Sequence, residues 1–200
     1  MRKVTQLAVV DPAICTGCRI CTRVCPVLAI TVVDRKAVVN NPACTGCGGC
    51  EQRCSFRAIT MIERDDPYEI RFTWDESQTE AVNALCRKAN FNPEQIVCYC
   101  TETRANEVAA AVLAGNDTPE KVSAATGIRT GCKIECVQPI LRILDAAGIK
   151  PERPEGGYQW YGLTATVYDI PDSIREKYAG SGFDFDGDRE IFDEVRDAGL

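Results

Sequence analysis

CTGCRICTRVCP runs from Cys15 to Pro26, and CTGCGGCEQRCS runs from Cys44 to Ser55. Both obey C-x-x-C-x-x-C-x-x-x-C, and each cysteine of the first copy returns 29 positions later. The flanks repeat too: DPAIC is matched by NPAC, and PVLAITVVD by SFRAITMIE. The first 63 residues are therefore an internal duplication, and its spacing decides how this part of the chain folds.

Three thiolates at two-residue gaps on a tight loop can wrap three irons of one cubane. A fourth cysteine, beginning a helix that points away, reaches the other cluster. The spacing thus assigns Cys15, Cys18, Cys21 and Cys54 to one 4Fe-4S cluster, and Cys44, Cys47, Cys50 and Cys25 to a second. Gly17, Gly46, Gly48 and Gly49 are expected to let the backbone approach inorganic sulfide. Zinc also uses CxxC pairs, but it favours two separated pairs over a triplet with a crossing fourth ligand. With every ligand in place, residues 1–63 resemble the bacterial dicluster ferredoxins. The departure is Ser55, which stands where the second copy would usually carry proline. Alternation in LAVV, ITVV, AVV and ITMI predicts short strands in two small hairpins, with the clusters doing much of the work of a core.

The chain has 200 residues, 13 cysteines, no histidine and a formal charge of -6. That length suits one domain or two small ones. MRKVTQLAVVDPAIC does not read as a signal peptide, since its apolar run is short and meets Asp11-Pro12. No apolar run approaches the roughly 20 residues of a membrane helix. A cytoplasmic metalloprotein with no membrane partner is the expectation. Without histidine there is no Ser-His-Asp or Cys-His catalysis, no Rieske ligation and no His₂Cys₂ finger. Neither GxGxxG nor a P-loop is present.

Charge is uneven along the chain. Residues 1–63 carry +4, residues 64–97 carry -3, residues 98–150 are neutral and residues 151–200 carry -7. The acidic end argues against nucleic acid as a partner, because phosphate backbones select basic patches. The basic start offsets the net negative charge that four thiolates give an iron–sulfur core.

Residues 64–95 read as a connector. RDDPYEIRFTWD predicts a loop and then a strand with Tyr68, Ile70, Phe72 and Trp74 on one face. ESQTEAVNALCRKANFNP predicts an amphipathic helix burying Val82, Leu85, Cys86 and Ala89. Cys86, the thirteenth cysteine, reads as a small buried apolar residue rather than a ligand.

The remaining four cysteines are Cys98, Cys100, Cys132 and Cys136. NEVAAAVLAG predicts a helix ending at Gly115, TPEKVSAATG a second one with Thr118 as N-cap and Pro119 at its first position, and VQPILRILDAAG a third. Two cysteines precede the first helix and two lie in the loop before the last. That gathers four sulfurs at one pole, near helix N-termini whose N–H groups stabilise thiolates. VCYC, the helix–turn–helix middle and the TGC before an apolar helix together resemble the BFD-like 2Fe-2S domain, over residues 96–150. The resemblance implies a 2Fe-2S cluster on these four cysteines. The family closes with Cys-x-x-Cys, whereas here Cys136 comes one residue late and Glu135 stands at the usual ligand position. A Cys₄ zinc site, ligation by Glu135, or no metal remain as alternatives for this third centre.

PERPEGGYQWYG breaks the chain, and residues 151–200 read as an acidic, aromatic-rich tail. YGLTATVYDI predicts a strand; PDSIREKYAG and DREIFDEVRDAG predict short helices, with Asp186 or Asp188 as an N-cap. Tyr158, Trp160, Tyr161, Tyr168, Phe183, Phe185 and Phe192 are too many aromatics for a disordered segment. They either pack back on the chain or dock onto a partner, and docking is the preferred reading. Asp184-Phe-Asp186-Gly-Asp188 imitates an EF-hand start, but Arg189 and Val195 stand where Gly and Glu are required.

The sequence therefore predicts an α+β protein with a ferredoxin-like first domain, a small helical second domain and an extended tail. It is expected to relay electrons for a larger oxidoreductase subunit holding flavin or tungsten/molybdenum, with no catalytic residue of its own. A redox sensor or iron-handling protein that docks through the second domain is the alternative.

Overall fold

The computed structural model describes residues 2–133, 135–154 and 162–198. Its first unit is built from four strands and two short helices: β1 (Arg2–Val10), α1 (Ile20–Val24), β2 (Ile30–Val33), β3 (Lys36–Val39), α2 (Gly49–Arg53) and β4 (Ile59–Ile70). Of the two hairpins expected, one forms. β2 and β3 pair through Val33 and Lys36, and the two residues between them, Asp34 and Arg35, both have positive φ. That turn matches the right-handed twist of the strands. β1 pairs instead with β4, Val10 opposite Ile59 and Arg2 opposite Ile70, so the two ends of the duplication close on each other. The expected loop at residues 64–67 is strand, because β4 continues past a bulge between Val4 and Gln6 to reach Arg2.

The duplication is repeated in the backbone. Gly17 and Gly46 have φ of 71° and 62°, Arg19 and Gly48 of 64° and 69°, and Leu28 and Arg57 of 54° and 53°. A methyl group built on Gly17 would overlap the carbonyl oxygen of Arg35, and one on Gly46 would overlap that of Gln6. These two glycines, expected to make room for sulfide, make room for protein carbonyls that seat one loop against the β2–β3 turn and the other against β1. Gly46→Ala is expected to cost about 1–2 kcal/mol of left-handed strain plus the overlap, read as a lowered urea midpoint.

The second unit begins with a 3₁₀ turn (Glu76–Gln78) and α3 (Thr79–Lys88), then β5 (Ile96–Cys98), β6 (Thr103–Arg104), α4 (Ala105–Leu113), α5 (Pro119–Thr126) and α6 (Val137–Ala146). The Thr118 hydroxyl accepts the Lys121 N–H at 3.2 Å, and Gly127 closes α5 with φ 78°. The chain from Arg71 to Asp75 is not strand; Phe72 and Trp74 pack against the helical core. Val82, Leu85, Cys86 and Ala89 of α3 are buried in that same core with Val108, Ile140, Ile143 and Leu144. Cys86 is fully buried, and burial pushes its thiol up to about 12.

The tail holds a 3₁₀ turn (Val167–Asp169), α7 (Asp172–Tyr178) and α8 (Phe185–Asp197). The strand expected from YGLTATVYDI is absent among the described residues: residues 162–166 carry no regular structure and a 3₁₀ turn follows. Asp184, not Asp186 or Asp188, caps α8, accepting the Gly187 N–H at 3.0 Å, so the helix starts earlier than the acidic run suggested. The tail packs back on the helical unit. Asn92 donates to the carbonyls of Val195, Arg196 and Ala198, and Arg142 donates to that of Thr164 at 2.6 Å. Phe183, Ile191 and Phe192 nevertheless stay exposed, and Tyr158, Trp160 and Tyr161 lie outside the described residues. No helix among the described residues is long and apolar enough to cross a membrane.

Candidate metal centres

The fourth cysteine of each motif does not begin a helix. α1 and α2 are five residues long, and Cys25 and Cys54 follow them as extended C-caps with φ of -75° and -79°. Each short helix therefore carries the chain away from its own loop and leaves the last cysteine beside the other one. Ala29 N–H donates to Cys25 Sγ at 3.2 Å, and Ala58 N–H donates to Cys54 Sγ at 3.3 Å. Ala37 N–H reaches Cys15 Sγ at 3.4 Å. Such donors favour thiolate over thiol and soften the charge of a bound core.

Two cavities result. One is walled by Cys15, Cys18, Cys21 and Cys54 with Val32, Phe56 and Ile59. The other is walled by Cys25, Cys44, Cys47 and Cys50 with Ala8, Ile30 and Met61. Each takes three cysteines from one copy and the fourth from the other. Burial raises the thiols of Cys21 and Cys25 and, helped by Cys47 and Cys44, pushes Cys50 up to about 12. Thiolates buried in these walls need a cationic counterpart, which the irons of a cluster would supply. The Thr45 hydroxyl in the second wall is buried with no hydrogen-bond partner, and bound sulfur would supply an acceptor. Donor set, shape and orphaned hydroxyl all fit a cubane. The Cys44 loop is held from β4, where the Arg64 guanidinium and the Tyr68 hydroxyl both donate to the Cys44 carbonyl.

The third group also comes together. Cys98 and Cys136 are buried and hydrogen-bonded to each other, while Cys100 and Cys132 are exposed. Cys132 N–H reaches Cys100 Sγ at 3.5 Å, and a methyl on the intervening Gly131 would overlap the Cys100 side chain. The hydrogen bond from Cys136, with the Thr101 side chain and the Arg129 backbone N–H, holds Cys98 down to about 5 against its burial. The same bond and burial push Cys136 upward. Cys136, one residue late in sequence, sits against Cys98 as N-cap of α6, whereas Glu135 is exposed.

Sequence reasoning missed Arg129. Its side chain is wholly buried, paired with the equally buried Glu120 at 3.4 Å, and its charge acts on Cys136. IRTG looked like a connecting loop, and no local pattern marks an arginine whose partner lies nine residues back on α5.

Comparison with family models separates the chain at the same place as the geometry. Residues 7–55 match the 4Fe-4S dicluster domain, and residues 96–146 match the BFD-like [2Fe-2S] binding domain. The chain joins a 4Fe-4S dicluster domain to a BFD-like [2Fe-2S] domain. Searches of curated proteins and of solved structures found no match. In the dicluster domain the cysteine loops lie within the matched span, and β4, wholly beyond it, closes on β1. In the BFD-like domain all four cysteines and Arg129 lie within it.

Proposed function

We propose that the protein is an electron-transfer subunit that relays electrons between a partner oxidoreductase and a second redox carrier. The observation that carries this reading is the pair of cavities walled by crossed cysteine quartets. Two 4Fe-4S clusters on those quartets and one 2Fe-2S cluster on Cys98, Cys100, Cys132 and Cys136 would supply one-electron carriers at ferredoxin-like potentials.

The protein's own residues hold, insulate and expose. Ala8, Ile30, Ile59 and Met61 exclude water from the cavity walls. The first cavity opens toward Ile20 and Phe56, both exposed. Tyr99, between Cys98 and Cys100, is 81% exposed. An apolar rim at each end of the chain of sites is what a redox partner needs for close approach. The lack of histidine and of phosphate-binding glycine motifs supports leaving the chemistry to that partner, a flavin- or tungsten/molybdenum-containing enzyme. The exposed Phe183, Ile191 and Phe192 of the acidic tail offer it a further surface.

The test is metal content and spectroscopy on the purified protein. About ten irons per chain with matching sulfide and three reducible EPR signals are expected. Zinc, or only about eight irons, would remove the third centre.

A further inference from the structure

Gly49 lies between Cys47 and Cys50, at the position where the first copy carries Ile20. Ile20 is an exposed side chain. At Gly49 the corresponding space belongs to Lys133: a methyl group built there would overlap the Lys133 ammonium. Lys133 itself sits between Cys132 and Cys136, its backbone in the left-handed region with φ 66°. A second close approach supports the first, since a methyl on Gly127 would press on Cβ of Arg2 at 2.8 Å, at the end of β1. The first cysteine loop has a different cation. Lys36 on β3 donates to the Cys15 carbonyl at 2.7 Å.

We propose that Lys133 is a positioning residue that makes the Cys44, Cys47, Cys50 and Cys25 site the neighbour of the Cys98, Cys100, Cys132 and Cys136 site. The Cys15, Cys18, Cys21 and Cys54 site is then the outer station, facing the partner across Ile20 and Phe56. This rests on the relay reading above. The missing side chain at Gly49 lets the two ligand loops meet through one ammonium, with no bulk between them. Both loops gather negative charge, and more of it on reduction, so a shared cation favours the reduced state of each. Loss of Ile20's counterpart is thus exchanged for a contact that exists on one copy of the repeat and not on the other.

The experiment uses the full-length iron–sulfur protein, poised at graded potentials with dithionite and followed by EPR. Lys133→Met is expected to lower the reduced-to-oxidised ratio of one 4Fe-4S signal, and of the 2Fe-2S signal, by ~threefold or more at a fixed potential. Lys133→Arg, which keeps the charge, is expected to restore most of that ratio. Lys36→Met is expected to move the other 4Fe-4S signal and leave these two in place. The proposal is overturned if Lys133→Met leaves both 4Fe-4S signals unmoved, or moves the one that Lys36→Met moves. Absence of all 4Fe-4S signals from the unaltered protein would sink the relay reading itself, and absence of the 2Fe-2S signal alone would overturn the neighbour relation; both are distinct from an unmoved 4Fe-4S signal.

Discussion

Cys54→Ala is expected to empty the first cavity, although Cys54 belongs to the second copy of the motif. Iron content should fall from about ten to about six per chain, with one 4Fe-4S EPR signal lost and the other retained. Cys25→Ala should do the reverse. The double variants decide whether the quartets cross. Cys15→Ala with Cys54→Ala removes two walls of one cavity, so it should cost no more iron than Cys54→Ala alone. Cys44→Ala with Cys54→Ala touches both cavities and should cost about eight irons. If each copy held its own four cysteines on one cluster, those two double variants would exchange results. The physical ground is the five-residue length of α1 and α2, which delivers Cys25 and Cys54 to the far side of the unit.

Arg129→Met should produce the largest loss of stability of any substitution outside the cysteines. It leaves the Glu120 carboxylate, 3% exposed, without its cation, and stranding one partner of a buried pair costs about 3–5 kcal/mol. At an m-value of about 2 kcal/mol per molar urea, the midpoint should drop by about 2 M. Removing the charge from both partners, as Arg129→Met with Glu120→Leu, should recover most of that loss. Recovery of the midpoint without recovery of the third centre's iron would separate the two tasks of Arg129. Its pairing holds α5 to the core, while its charge lowers the cost of a thiolate at Cys136. A single variant as stable as the unaltered protein would refute this account of the buried pair.

What could be read in advance was whatever the chain writes locally. The Thr118-Pro119 helix start, the Gly127 stop and the buried face of α3 depend on neighbours a few residues apart, and each has its expected place. What escaped was long-range. The pairing of Arg2 with Ile70 joins strands separated by the whole duplication, and alternation alone cannot say which strand is the partner. Gly17 and Gly46 were legible as glycines with a purpose, but the carbonyls they admit come from Arg35 and Gln6, distant in sequence. The acidic run at the start of α8 offered Asp186 or Asp188 as the cap, whereas the turn geometry selects Asp184, one residue before the helix. At the third site the extra residue before Cys136 suggested a misplaced ligand. As N-cap of α6, Cys136 nevertheless meets Cys98.

Asn92 has a consequence for whatever approaches the protein from outside. Its amide satisfies three carbonyls at the end of α8 from 103 to 106 residues away in sequence, fastening the last helix with one side chain. Because the tail is covalently attached, opening that clasp does not dilute it. A tethered segment competes for its own seat at an effective concentration of roughly millimolar order. A ligand for the face of the helical unit that the tail covers must therefore outbid an intramolecular rival, and weak peptides would go unseen there. Asn92→Ala would lower that threshold, turning a self-occupied face into one open to competition.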